Sequence, residues 1–213
     1  MVHTQPTHSN KEPIRLFKSD FLEFFTHIHP AAVLVIFLPL VIGFAVSGMR
    51  NTSTGALPYL PVFWVLGLMI WTPTEYLLHR FLFHFPPHGK TQERISFLFH
   101  GIHHAQPMMK TRLVMPPVLS LPLAALFYGL FHLLLRVTGT GPGLPDMLFS
   151  GFLAGYLSYD MLHYSMHHFN IKNGYLQKIR RNHMRHHALT PNKRFGVTTL
   201  FWDRVFGTYV KED

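Results

Sequence analysis

The chain has 213 residues, of which 48% are hydrophobic and only 14% are charged. Soluble globular proteins carry about 25% charged residues, so this composition argues against a soluble globule. There is no cysteine, which excludes disulfides, thiolate metal ligands and iron–sulfur clusters. The formal net charge of +9 is compatible with a nucleic-acid binder. The apolar segments described next instead favour a membrane surface as the partner, and no nucleic acid.

The N-terminal part of the chain precedes any long apolar run. Residues 1–13 are polar, contain two prolines and lack the features of a signal peptide, so we expect a flexible tail. In residues 14–29, Asp20 followed by Glu23 resembles a capping box with an acidic cap. Three phenylalanines then fall on one helical face, which predicts an interfacial helix lying on the membrane. The alternative is a disordered tail with a few aromatic residues.

Four stretches are long and apolar enough to cross a bilayer, which takes about 20 helical residues. They cover residues 31–49, 57–78, 117–135 and 144–162. A soluble helical core can contain one such run, but four runs separated by Gly- and Pro-rich turns favour the membrane. We expect a single domain over residues 1–213, of the all-α integral membrane class. It would have four transmembrane helices and a cytoplasmic helical cap formed by residues 79–116 and 163–213.

The distribution of Lys and Arg predicts the orientation of these spans. Arg50 lies between the first two spans and Arg136 between the last two, whereas the other 17 of the 19 cations lie on the opposite side. The positive-inside rule then places both termini and the loop between spans two and three in the cytoplasm. The expected location is therefore a multi-pass position in an inner or internal membrane.

Histidine is the unusual residue type, with 17 copies against 10 acidic residues. Eleven histidines form four clusters on the predicted cytoplasmic side. The clusters are His79 and His84; His100, His103 and His104; His163, His167 and His168; and His183, His186 and His187. Positions i, i+3 and i+4 share a helix face, so each H-x-x-H-H triplet is expected to aim its rings at one point. The first pair is five residues apart, about 140° around an ideal helix, and needs a helix end or a distortion to converge.

This histidine pattern predicts a metal centre on the cytoplasmic side. Neutral imidazole binds zinc, copper, iron and nickel. Ten converging imidazoles exceed what one ion can use, so we expect two metal ions with about five ligands each. The expected ligands are His79, His84, His100, His103, His104, His163, His167, His183, His186 and His187. His168 is not an expected ligand, because it sits beside His167 and points elsewhere on a helix, and His132 is expected to be structural.

Three classes of function are compatible with such a centre. Two redox metals can activate O2 and hydroxylate an unactivated C–H bond. Zinc can activate water for hydrolysis, but such sites usually add a carboxylate, and only Glu75, Asp160 and Asp203 lie near the clusters. A metal transporter needs polar groups near the bilayer midplane, which spans one and three lack, and a bis-histidine haem protein needs far fewer histidines. The oxygenase is the favoured class.

The pattern H-x4-H, H-x2-H-H, H-x3-H-H, H-x2-H-H on a four-span chain resembles the fatty acid hydroxylase / sterol desaturase superfamily. Within it the chain is most similar to the fatty acid 2-hydroxylases, over about residues 14–210. The shared signatures are RLVMPPV at Arg112–Val118, GYLSYDMLHYSMHH at Gly155–His168 and FWDRVFGT at Phe201–Thr208. The resemblance implies O2-dependent hydroxylation of a long acyl chain, in a fatty acid or ceramide, at the carbon beside its carbonyl group.

The same resemblance implies how the centre is built. It implies the ten ligands given above, with iron as the catalytic metal and zinc as an ion that can occupy the centre in a purified sample. Tyr159 and Asp160 lie one turn before His163 and are expected to orient a ligand or the substrate headgroup. The alternative for Asp160 is a helix-end cap or an ion pair with Arg180 or Arg181.

Many eukaryotic relatives carry an N-terminal b-type cytochrome domain, which is absent from this sequence. Electrons are therefore expected from a separate protein, a b-type cytochrome or a ferredoxin, that docks on a basic cytoplasmic face. That face would contain Lys172, Lys178, Arg180, Arg181 and Arg185. The alternative is plain membrane-surface charge. The absent domain also favours a bacterial inner membrane over the endoplasmic reticulum.

Two alternatives to acyl-chain hydroxylation stay open at this point. The first is hydroxylation or desaturation of a carotenoid or sterol by a member of the same superfamily. The second is a non-redox membrane zinc protein.

Overall fold

The computed structural model describes residues 12–172 and 174–211, and within them all regular structure is helical. The predicted flexible tail over residues 1–13 lies almost wholly outside these residues. The α-helices, in chain order, are α1 (Asp20–Phe24), α2 (Pro30–Arg50), α3 (Leu60–Leu77), α4 (Lys90–Ser96), α5 (Ile102–Ala105), α6 (Pro117–Arg136), α7 (Gly143–His168), α8 (Gly174–Ala188) and α9 (Phe201–Val205). A 3-10 helix over Thr54–Tyr59 precedes α3, and π-helical segments over Leu78–Phe83 and Phe97–Gly101 follow α3 and α4.

Within the described part of the chain, three helical stretches are long and apolar enough to cross a membrane, and they indicate a membrane protein. They are Pro30–Arg50, Thr54–Phe83 and Pro117–Arg136. These stretches correspond to the first three predicted spans, and large apolar side chains such as Val35 and Leu126 are 73% and 66% exposed on them. Helix α7 contains the fourth predicted span. Its position in a membrane stays a prediction, because most of its apolar residues are buried inside the protein and its composition is less apolar.

The N-terminal segment differs from the predicted interfacial helix over residues 14–29. The α-helix is limited to Asp20–Phe24, and its N-cap is Ser19 rather than Asp20. The Glu23 carboxylate accepts the backbone N–H groups of residues 16 and 17 at 2.9 and 2.8 Å. This contact holds residues 14–18 outside the helix, so a capping box with an acidic cap does not form.

The chain divides into two compact units. One unit, here called the span unit, contains Ala31–Thr74 and Met115–Asp160 and therefore most of the apolar helices. The other, here called the histidine unit, contains Glu75–Val114 with the described parts of Met1–Pro30 and Met161–Asp213. The division lies close to the predicted boundary between spans and cap. The prediction of a single domain is not tested by it.

Within the span unit, α3 and α7 approach each other backbone to backbone at two glycines. A Cβ atom added to Gly67 would lie 1.9 Å from the Leu148 carbonyl oxygen, and one added to Gly151 would lie 1.9 Å from the Trp64 carbonyl oxygen. Small residues allow apolar helices to pack this closely in a bilayer, where packing rather than water exclusion drives association.

We expect Gly67→Ala and Gly151→Ala each to destabilise the protein by about 1–3 kcal/mol, because the two backbones must move apart to admit a methyl group. Gly43→Ala is the matched control, since its Cβ would meet no atom within 4 Å. Thermal unfolding of the purified variants in detergent measures the difference. Equal melting temperatures for Gly67→Ala and Gly43→Ala would contradict this packing.

Candidate metal centre

The four histidine clusters come together inside the histidine unit. Ten of the eleven clustered histidines form two groups of five, and in each group one ring nitrogen per residue lies within 4.8 Å of the others. Group A consists of His79, His84, His100, His104 and His186. Group B consists of His103, His163, His167, His183 and His187. These ten residues are the ones predicted to bind metal, and the structure brings them together as five and five. That they bind two ions stays a prediction.

Two of the described histidines outside the two groups have other contacts. The ring of His168 packs against Tyr164 with the ring centroids 4.5 Å apart. His132 lies in the span unit, with Nε2 at 2.9 Å from an Asp146 carboxylate oxygen. That neither residue binds metal stays a prediction.

The first histidine pair depends on a π-helical backbone. His79 lies in the segment Leu78–Phe83, and the N–H of His84 donates to the His79 carbonyl oxygen at 3.1 Å, an i→i+5 bond. This bond brings residues five apart onto one side of the helix, and the two ring centroids are 5.0 Å apart. On an ideal α-helix they would diverge by about 140°. The distortion that the spacing requires is therefore present.

The two H-x-x-H-H triplets do not aim at one point, and that expectation was wrong. The middle member of each triplet, His103 or His186, joins the opposite group from its two neighbours. Positions i+3 and i+4 lie on either side of position i, about 100° apart on a helix, so a triplet can serve two adjacent points. Each triplet consequently contributes to both groups.

The ring nitrogens of group A face one another at short range. His84 Nε2 lies 3.2 Å from His104 Nε2 and 3.1 Å from His186 Nε2. His79 Nε2 lies 3.1 Å from His100 Nε2. Adjacent nitrogen ligands about 90° apart around an ion, with bonds of about 2.0–2.1 Å, are about 3 Å from each other. The spacing within group A therefore fits a bound metal ion.

Backbone carbonyls fix the tautomers of two group A rings. Nδ1 of His79 donates to the Phe195 carbonyl oxygen, and Nδ1 of His186 donates to the Lys193 carbonyl oxygen, both at 2.6 Å. A neutral imidazole has one N–H, so both rings present an Nε2 lone pair to the centre of the group. Such contacts also make the free nitrogen a stronger ligand.

Group B has the same close approach of nitrogens. His183 Nε2 lies 2.9 Å from His167 Nε2 and 3.1 Å from His187 Nε2. Both ring nitrogens of His103 are buried, and neither has a hydrogen-bond partner among the described residues. Buried polar atoms rarely go unsatisfied in proteins, and a metal ion would satisfy one of them. Group B therefore also fits a metal ion.

Burial keeps the histidines neutral. Desolvation and repulsion between neighbouring imidazoles lower the pKa of His84 from 6.5 to about 2. Desolvation lowers the pKa of His186 to about 4, although hydrogen bonds to the backbone oppose the shift. Desolvation also lowers the pKa values of five further rings well below 6.5, those of His100, His103, His104, His183 and His187. Since metals bind the neutral ring, these lone pairs are available at neutral pH.

Tyr159 and Asp160, which were expected to orient a ligand or the substrate headgroup, are buried residues of the span unit. Asp160 interacts with the side chain of Tyr156. Arg180, considered as an ion-pair partner for Asp160, donates instead to the Met166 carbonyl oxygen at 2.8 Å. The role of Tyr159 and Asp160 stays a prediction.

Glu75 and Asp203, which were predicted only as possible bases, make contacts that their position in the sequence did not indicate. Both are buried and bind backbone N–H groups of the segment between α8 and α9. Glu75 accepts from Val197 at 3.4 Å and from Thr198 at 2.8 Å. The FWDRVFGT signature was the available signal for Asp203. These carboxylates hold the loop that carries the carbonyls bound to group A.

A sequence model described as fatty acid hydroxylase matches residues 64–208, more than half of the chain. The chain belongs to the fatty acid hydroxylase family. This membership confirms the resemblance drawn from the histidine pattern.

Relatives of this fatty acid hydroxylase include proteins from plants, yeast and mammals. A dihydroceramide fatty acyl 2-hydroxylase of Arabidopsis thaliana is 37% identical over 201 residues, which cover 94% of this chain and 81% of the relative. A ceramide very long chain fatty acid hydroxylase of Saccharomyces cerevisiae is 38% identical over 98% of this chain and 53% of the relative. A fatty acid 2-hydroxylase of Rattus norvegicus is 36% identical over 94% of this chain. The chain thus spans only 53% and 58% of the yeast and rat proteins.

A solved structure shares the fold of this fatty acid hydroxylase. It is described as full-length Scs7p with only the hydroxylase domain visible, and it superposes with a TM-score of 0.81 at 37% identity. The match covers 90% of this chain and 70% of the other. The helical architecture described above is therefore that of a known hydroxylase domain.

Proposed function

We propose that this protein is an O2-dependent hydroxylase that oxidises lipid acyl chains at the carbon beside the carbonyl group, in fatty acids or ceramides. The observation that carries the proposal is the pair of five-imidazole groups in a chain of the fatty acid hydroxylase family. Relatives at 36–38% identity are named for hydroxylating fatty acids, ceramides or dihydroceramide acyl groups, two of them at position 2. The proposed centre holds two metal ions, one in group A and one in group B.

The reaction consumes one C–H bond, O2, two electrons and two protons, and it yields one C–OH group and water. A redox metal, proposed here to be iron, supplies the one-electron and oxygen chemistry when bound. The protein supplies ten neutral imidazoles and holds at least two of them through backbone carbonyls. The burial of most of these rings keeps bulk water away from the reacting groups.

We place the protein in the membrane as a multi-pass chain with both termini and the metal centre on the cytoplasmic side. The position of 17 of 19 cations supports this orientation, in a bacterial inner membrane or, in a eukaryote, the endoplasmic reticulum. Phe21 and Phe24 are 72% and 73% exposed, and the cations Arg15 and Lys18 precede them. An apolar surface beside cations suits the membrane interface, so the N-terminal segment keeps its proposed interfacial role despite its short helix.

A separate redox protein, a b-type cytochrome or a ferredoxin, is the proposed source of electrons. Of the five basic residues predicted to form its docking face, Lys172, Lys178 and Arg181 are exposed. Arg180 and Arg185 are half-buried, and Arg180 is engaged by a backbone carbonyl. The three exposed residues, Lys172, Lys178 and Arg181, therefore form the proposed docking surface for an acidic donor.

Lipid mass spectrometry of a host with and without the chain tests the proposed function. A b-type cytochrome or a ferredoxin is co-expressed in both cases. We expect acyl chains that gain one oxygen atom beside the carbonyl group. Oxygenated carotenoids or sterols would redirect the substrate, and unchanged lipids together with zinc-loaded protein would favour a non-redox zinc protein.

A further inference from the structure

Asp203 is a buried carboxylate with 0% exposure, and it accepts four hydrogen bonds. One oxygen accepts the Phe195 backbone N–H at 2.8 Å and the Thr208 hydroxyl at 2.7 Å. The other accepts the Gly196 backbone N–H at 3.1 Å and the Asn182 amide at 3.3 Å. A buried carboxylate needs such donors to offset its desolvation. The backbone of residues 195–196 is thereby fixed to α9.

The backbone held in this way carries the two carbonyls that bind group A rings. The Phe195 carbonyl accepts from His79 and the Lys193 carbonyl accepts from His186. Arg194, between them, has a φ of 64°, a left-handed conformation that is uncommon for a residue with a side chain and is often found near functional sites. This turn lets two nearby carbonyls reach two different histidines.

Group B is not tied to this loop. Nδ1 of His167, His183 and His187 is buried in each case, and no described residue accepts a hydrogen bond from it. The ring of His163 interacts instead with the carbonyl of Leu113, far from the loop in sequence. A donated Nδ1–H fixes ring orientation and strengthens the metal bond. The direct hydrogen bonds from the loop over residues 193–197 to histidine rings therefore reach group A only.

We infer that Asp203 is a positioning residue for group A, where it strengthens metal binding through the carbonyls of Phe195 and Lys193 and leaves group B unaffected. This inference rests on the proposed metal centre. Asp203→Asn keeps the side-chain size but leaves one acceptor oxygen where two are used, so an N–H of residue 195 or 196 would face an amide NH2. Loss of an outer contact of this kind lowers metal affinity about 10–100-fold.

The test is a zinc titration of the purified full chain in buffers that set the free zinc concentration with a chelator. Asp146→Asn is the matched control, because Asp146 is also buried but its partners are side chains of the span unit. We expect wild-type protein and Asp146→Asn to bind two zinc ions per chain with similar affinity. Asp203→Asn should need about 10–100-fold more free zinc for one of its two ions.

Double variants identify which group is weakened. Adding His163→Ala to Asp203→Asn should remove the ion that stayed tight, whereas adding His79→Ala should leave that ion in place. The inference would be overturned if both ions bind more weakly, if neither does, or if only the group B ion does. Fewer than two ions in the wild-type protein would contradict the metal centre itself, which separates that failure from a failure of the role of Asp203.

Gly196→Ala provides a second route if Asp203→Asn aggregates. A Cβ atom at Gly196 would lie 2.1 Å from the Thr199 carbonyl oxygen and 3.0 Å from Asp203 Oδ2. This substitution displaces the same loop and keeps the carboxylate. We again expect weaker binding of one of the two zinc ions. Two ions bound with unchanged affinity would overturn the inference.

Discussion

Alanine at His104 or at His187 is expected to abolish hydroxylation, and each substitution should remove one metal ion of two. His104 belongs to group A and His187 to group B, and their rings stack with centroids 4.2 Å apart. Each ring nitrogen lies close to another nitrogen of its group, at 3.2 Å for His104 and 3.1 Å for His187. Removing either ring would take one ligand from the metal ion proposed for that group, so that water could reach the ion and the ion could dissociate. The measurement is metal content per chain beside acyl-chain hydroxylation.

The matched control for this pair is His168→Ala. His168 lies in the same kind of histidine cluster but belongs to neither group. It should retain both metal ions and full hydroxylation. Loss of activity in His168→Ala comparable to that in His187→Ala would show that the division into two groups of five does not describe the working centre.

Breaking the ion pair between Glu23 and Arg112 is expected to give the largest loss of stability. The Arg112 guanidinium side chain is 1% exposed and donates to Glu23 at 2.7 Å, and it also lies 2.8 Å from His27 Nε2. Although burial raises the pKa of Glu23, bonds from the backbone and the charge of Arg112 lower it below the ordinary value. The carboxylate is therefore ionised at neutral pH. Removing one partner of a fully buried pair costs about 3–5 kcal/mol. Because Glu23 is partly exposed, we expect losses near the lower end of that range, and Glu23→Gln and Arg112→Met should unfold at clearly lower temperature.

The pair Arg15–Asp20 is the matched control for that prediction. It lies on the same N-terminal segment, but its side chains are 55% and 92% exposed. Exposed pairs contribute about 0–1 kcal/mol, so Asp20→Asn should melt close to the wild-type temperature. The contribution of Glu23 should be present above its unfolded-state pKa and should fall as the pH drops through its lower folded-state pKa. Equal melting temperatures for Glu23→Gln and Asp20→Asn would contradict the importance of the buried pair.

The features that could be predicted from sequence are those set by local composition. The first and third predicted spans, residues 31–49 and 117–135, end within one residue of the observed helices Pro30–Arg50 and Pro117–Arg136. Such agreement follows because a lipid-exposed backbone must satisfy all its hydrogen bonds internally, and an uninterrupted apolar helix does so. The ten histidines of the two groups were likewise singled out by their spacing and by their predicted position on one side of the membrane.

The features that could not be predicted depend on contacts between distant residues. The helix over residues 14–29 fails because Glu23 binds the backbone of residues 16 and 17 and pairs with Arg112, 89 residues away. The division of the histidine triplets depends on ring directions that spacing alone leaves open. The carbonyls of Lys193 and Phe195 have no signature in the sequence, because every residue has a carbonyl group. Asp203 lies within the FWDRVFGT signature, but nothing in the sequence indicated its contact with that loop.

Isotopic labelling can test whether the proposed metal centre hydroxylates acyl chains beside the carbonyl group. The most direct measurement supplies the protein and its electron donor with an acyl chain deuterated at both hydrogens of that carbon, under O2 of the heavy isotope. Mass spectrometry should find a product that has lost one deuterium and gained one heavy oxygen atom. A product that keeps both deuterium atoms, or an oxygen atom derived from water, would contradict the account.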